Sequence, residues 1–137
     1  MESVRIIYSQ NENVAYCMWK YFFDSCGIWV ISQTIEEYEN SQGEKGENQE
    51  KEHIPIIYIL SEDERYWISD TEQRWVVYFI SENLWKQYPN KEREDILPIT
   101  WNEREMIIIC KVLIQKLTDN MDTVYYLMRL IEYFITY

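Results

Sequence analysis

Glycine and proline are scarce in this chain, three of each in 137 residues. That argues against a turn-rich sandwich or barrel. Cysteine is equally scarce: Cys17, Cys26 and Cys110, with no close-spaced pair. An odd number so spaced is neither a disulfide framework nor a zinc motif. Cys17 and Cys110 fall inside apolar helical patterns and are expected to be buried as small hydrophobes, in keeping with a reducing cytoplasm. The single histidine, His53, excludes a metal cluster built on several His and leaves no Ser-His or Cys-His nucleophile. It reads as a loop residue, and no metal site is expected. The glycines form neither a dinucleotide fingerprint nor a phosphate loop. No apolar run approaches the ~18 residues of a membrane span, and Met1 to Arg5 is no signal peptide.

Positive charge is also in short supply. Against 24 acidic residues stand 13 basic ones, a formal net charge of −11. Lys86, Lys91 and Arg93 are interleaved with Glu92, Glu94 and Asp95, so no basic patch forms and nucleic-acid binding is not expected. The run from Asn90 to Asp95 reads as a solvated charge cluster.

What the chain does have is apolar and aromatic mass, 47% and 16% of its residues. Its length fits one domain. The most informative stretch is Trp75-Val76-Val77-Tyr78-Phe79-Ile80-Ser81. It is apolar without alternation, as in an inner strand of a parallel sheet buried on both faces. Four further strands are expected: Val4 to Tyr8, Ile28 to Ile31, Ile54 to Leu60, and Ile96 to Ile99. Pro98 marks the last as an edge or an irregularly paired strand. Between the first two, Val14, Cys17, Met18, Tyr21 and Phe22 fall at helical spacing, with Asn11 or Asn13 as N-cap and Gly27 as terminator. Ser61 with Glu64 has capping-box spacing. Thr34 to Glu39 allows a short helix. Residues 41–52 read as a mobile acidic loop within a stretch, Thr34 to Glu52, that holds seven Glu and two Lys.

The C-terminal part, residues 103–137, carries two apolar stripes at helical spacing. An unbroken helix from Asn102 would be ~50 Å long, too long for a domain of this size, so a break is expected at Thr118-Asp119-Asn120. One stripe runs from Met106 to Ile135. The second, Ile107, Ile114, Leu127, Leu130 and Phe134, is expected to make a homodimer or partner contact. The whole predicts a single flavodoxin-like α/β domain, a three-layer sandwich whose five-stranded, mostly parallel sheet has order 2-1-3-4-5.

In such a sheet ligands bind beyond the carboxyl ends of the strands. Ser9, Asn11, Ser32, Ser61, Ser81 and Asn83 lie there and would line a cleft. The same residue types also cap helices, and both duties remain open. Phosphotransfer is set aside, since no acidic pair follows the first strand and the third ends in Ser61.

Two segments resemble Toll/interleukin-1 receptor (TIR) domains. Val4-Arg5-Ile6-Ile7-Tyr8-Ser9-Gln10-Asn11-Glu12 is similar to their opening strand. Val76-Val77-Tyr78-Phe79-Ile80-Ser81-Glu82-Asn83-Leu84-Trp85 is similar to their mid-domain strand, apolar residues followed by Ser-x-Asn. Ile96-Leu97-Pro98-Ile99 resembles a later Ile-Ile-Pro-Val strand. The matches cover about a quarter of the chain. The mid-domain motif falls on the fourth strand here rather than the third, and Trp85 lacks the Cys that follows in catalytic members. The resemblance implies a cytoplasmic signalling or protein-interaction domain that works by self-association or partner binding, without a cofactor. For catalytic members it implies an NAD-cleaving hydrolase, with a glutamate that spacing would put at Glu92. NAD enters only under that alternative. A third reading, independent of the family, is a small-ligand sensor of flavodoxin-like topology.

Overall fold

A computed structural model describes residues 3–25, 27–45, 54–88 and 92–100, with Glu105 and Arg129 beyond them. Strands β1 (Ser3–Tyr8), β2 (Trp29–Thr34), β3 (Ile56–Leu60), β4 (Val76–Ile80) and β5 (Ile96–Pro98) form one sheet in the order β2-β1-β3-β4-β5. Every adjacent pair is parallel. This is the flavodoxin-like order, with its switch point between β1 and β3.

Helices cover both faces. Helix α1 (Asn13–Ser25) packs on one. Helices α2 (Ile35–Lys45) and α3 (Glu82–Gln87), with a 3-10 helix at Glu62–Trp67, pack on the other. All five residues of β4 are buried, because Val77 and Phe79 point to the α1 side while Val76, Tyr78 and Ile80 point to the α2 side. The Trp19 ring stacks on Phe79 with centroids 4.7 Å apart, tying α1 to the sheet centre. On the opposite face Tyr58 and Tyr78 stack at 5.1 Å. Burial, with Tyr38 close by, holds the Tyr58 hydroxyl protonated far above its ordinary range.

Several boundaries differ from the sequence reading. Strand β2 starts one residue later and runs three further, to Thr34. Strand β3 begins only at Ile56, after Pro55, whose carbonyl accepts the Arg5 N–H. Trp75 precedes β4 in a left-handed conformation (φ 70°), unusual for an aromatic residue. Residues 41–45, expected in a loop, complete α2. Residues 46–52 and His53 lie outside the described residues, as do the C-terminal stripe residues Ile107, Ile114, Leu127, Leu130 and Phe134.

Helix α1 is rotated from expectation: Met18 and Phe22 pack against the edge of the core as expected, but the centre of the buried face lies elsewhere. It buries Ala15, Tyr16, Trp19 and Phe23. Val14 and Tyr21, assigned to the core by their spacing, are 70% and 71% exposed, and Cys17 between them is an exposed free thiol. The helix is apolar on nearly all sides, so periodicity alone could not fix its phase. The larger apolar area of Trp19 and Phe23 decides which face is buried.

The charge run before β5 is also not wholly solvated. Arg93 and Asp95 are buried and form a bidentate pair, Nε to Oδ1 at 2.9 Å and Nη2 to Oδ2 at 2.6 Å. Arg93 Nη1 donates to the Ser69 carbonyl as well.

Candidate functional site

The carboxyl ends of β1, β3 and β4 each finish in a serine, and each serine starts the next helix. Ser9 Oγ accepts the Asn11 N–H at 3.2 Å and opens a 3-10 turn at Gln10–Glu12 that leads into α1. This turn replaces the direct capping expected of Asn11 or Asn13. The Ser61 N–H donates to Glu64 Oε2 at 3.0 Å, as the capping-box spacing predicts, and the Ser61 hydroxyl donates to the same carboxylate while the Glu64 N–H bonds the Ser61 carbonyl at 3.1 Å. Ser81 Oγ accepts the Leu84 N–H at 3.3 Å and caps α3. Ser9 and Ser61 flank the switch point, with the Ser9 hydroxyl 3.5 Å from that of Ser61.

These turns enclose an open cleft. One lobe, of about 410 Å³, lies over β1, β3 and β4 and is lined by Asn11, Glu12, Ser61, Glu62, Asp63, Ser81, Glu82 and Asn83. A second, of about 310 Å³, lies over β1 and β2 and shares Asn11 and Asp63 with the first. The structure therefore brings together Ser9, Asn11, Ser61, Ser81 and Asn83. Asn83 Nδ2 donates to Glu62 Oε1 at 2.6 Å, which links the α3 turn to the 3-10 helix across the cleft.

Ser32 is not part of this site. Because β2 continues to Thr34, Ser32 lies inside the strand opposite Ile6, and its hydroxyl accepts from Tyr16 at 2.6 Å. Thr34 holds the strand-end position instead, and its Oγ1 caps α2 by accepting the Glu37 N–H at 3.1 Å. Glu92 is exposed on the turn leading into β5. In an all-parallel sheet that is the amino-terminal edge, opposite the cleft.

The lining of the cleft is acidic. No Lys, Arg or His is among the described residues of either lobe. Partial burial, and secondarily the Glu64 carboxylate, raise the Glu12 pKa above the usual carboxylate value. Phosphate-bearing ligands would meet repulsion here, while a neutral or cationic group would not. Among the described residues, no three of Asp, Glu, His and Cys converge to hold a metal ion. Sequence reasoning missed Thr34, Glu12 and Glu64 as lining residues. Capping-box spacing marks Glu64 as a partner of Ser61, and the same bond fixes its carboxylate at the cleft.

No family model, no curated protein and no solved structure matches this chain.

Proposed function

We propose that the chain is a TIR-like signalling or protein-interaction domain that acts by self-association or partner binding. The observation that carries this reading is the outward stripe of α1. Val14, Cys17 and Tyr21 recur at helical spacing and stand in solvent. Asn13 and the exposed Lys20–Asp24 ion pair border this stripe, so apolar residues share the outward side with charge instead of leaving it to polar residues alone. An apolar stripe left outside is the ordinary mark of an interface. Sedimentation velocity over a range of concentrations tests it. The expected result is a mass above that of the single chain, rising with concentration and reduced in the double variant Val14→Glu/Tyr21→Glu. A wild type that neither associates nor captures a partner through this stripe contradicts the reading.

The cleft favours a second reading, a small-ligand sensor for a neutral or cationic group. Spermidine and ATP are suitable opposite probes. A rise in Tm with spermidine and none with ATP supports it, and the reverse overturns the charge argument.

NAD cleavage fits less well. Glu92 stands at the edge of the sheet away from the cleft, and an acidic cleft opposes a dinucleotide's phosphates. Nicotinamide release is therefore expected to be absent from the wild type. Turnover that disappears in Glu92→Ala would restore the enzymatic reading.

A further inference from the structure

The two edges of the sheet are built differently. Strand β5 is three residues long and ends in Pro98, which has no N–H to offer. Strand β2, at the other edge, is six residues long and has no proline and no charge: Trp29, Val30, Ile31, Ser32, Gln33, Thr34. Among the described residues it pairs only with β1, so half of its backbone groups point away from the sheet. Natural edge strands are usually shortened, charged or interrupted by proline to prevent such pairing. β5 is protected in this way and β2 is not.

We infer that the β2 edge pairs antiparallel with the β2 edge of a second copy, joining two sheets into one ten-stranded sheet about a two-fold axis. This rests on the interaction reading above and adds to the α1 stripe a second, independent surface. The occupant follows from charge. The protein carries −11, yet its longest sheet edge carries none, so two copies approach there without direct ion repulsion. At the amino end of β2 Asp24 is ion-paired with Lys20, while Glu36 and Glu37 begin α2 just past its carboxyl end. Parallel pairing would set these glutamates side by side. Antiparallel pairing about Ile31 moves them to opposite ends of the interface, beyond the two Thr34 positions that lie roughly 20 Å apart over six strand steps, well past the ~8 Å screening length at physiological salt.

The same geometry restricts the register, and the pairing proposed is the one centred on Ile31. A two-fold axis normal to the sheet keeps each face on its own side, so a residue can oppose only one whose side chain points to the same face. Centring the pair on Ile31 sets Ile31 against itself and Trp29 against Gln33 of the other copy. That gathers the 72% exposed Trp29 with Ile31 on the α2 face of the joined sheet.

Sedimentation velocity on the full chain tests this, in the wild type and in the Val14→Glu/Tyr21→Glu background where α1 contacts are removed. A species of twice the 16.9 kDa chain mass is expected to persist in that background. Trp29→Glu or Gln33→Glu alone should weaken it about tenfold, since each places one unpaired carboxylate in both of the two symmetry-related 29–33 pairs. Trp29→Lys combined with Gln33→Glu should restore it. Positions 29 and 33 lie ~13 Å apart along one strand, so the restored pair has to form between copies. Trp29 is exposed, and unchanged circular dichroism should accompany its replacement. A monomeric background variant overturns the inference. So does a dimer indifferent to residues 29 and 33, and in that case self-association through another surface still stands. A double variant no tighter than the singles overturns the register about Ile31.

Discussion

Asp95 holds the start of β5 in place through both its side chain and its backbone. It is fully buried, its carboxylate is paired bidentately with Arg93, and its carbonyl accepts the Tyr78 N–H at 2.7 Å. Removing one partner of a buried pair strands the other charge in a poor dielectric. Asp95→Ala is therefore expected to lower stability by about 3–5 kcal/mol, whereas the double change Arg93→Met/Asp95→Leu should be far milder. Urea denaturation checks both, and a single variant no worse than the double would show the pair is not isolated from water. Glu12 gives a different expectation. Its folded pKa is raised, chiefly by burial, so the folded state holds this proton more tightly than the unfolded chain. Its contribution to stability is thus present at low pH and lost as pH rises through the folded pKa. Glu12→Gln should raise the urea midpoint at neutral pH, and the gain should vanish below the ordinary carboxylate range.

At the scale of elements, the strands were readable because each is an apolar run closed by a polar stop, and their number and order followed from that. The helix phases were less readable. Apart from one narrow side holding Asn13, Lys20 and Asp24, the α1 sequence is apolar, so spacing offers two candidate faces, and only the bulk of Trp19 and Phe23 separates them. The strand-end serines were legible both as caps and as cleft residues, and they serve as both. Ser32 was misplaced because nothing in Ser32-Gln33-Thr34 breaks an extended strand. The Arg93–Asp95 pair was hidden by its neighbours, since a run of alternating charges does not reveal which two turn inward. Gly27 was placed correctly from sequence. It ends α1 in the left-handed region (φ 76°), and its N–H bonds the Asp24 carbonyl at 3.1 Å. A Cβ added there would meet nothing within 4 Å. Gly27→Ala should then carry only the backbone cost of that conformation, about 1 kcal/mol by chemical denaturation. A loss several times larger would mean that the connection from α1 to β2 is strained in some further way.

For the molecule as a whole, charge decides how its surfaces can be used. With a net charge of −11, any two copies repel at long range. The acids are not evenly spread: many line the cleft at the carboxyl edge of the sheet, while the α1 stripe and strand β2 carry none. Association between copies therefore depends on apolar and backbone contacts working against a diffuse repulsion. Salt screens that repulsion over distances of about 8–10 Å at ordinary ionic strength, while burial of apolar area is little affected by such concentrations. Self-association is thus expected to tighten from low salt to about 0.5 M NaCl, and to tighten again as pH falls toward the isoelectric point near 4.5. An interface held by complementary charges would show the opposite trend, loosening as salt rises. Sedimentation velocity at two salt concentrations, with the Trp29→Glu variant beside the wild type, separates the cases. Added salt should partly offset the extra negative charge of the variant if it faces another copy, and should leave no difference to offset if residue 29 faces only water.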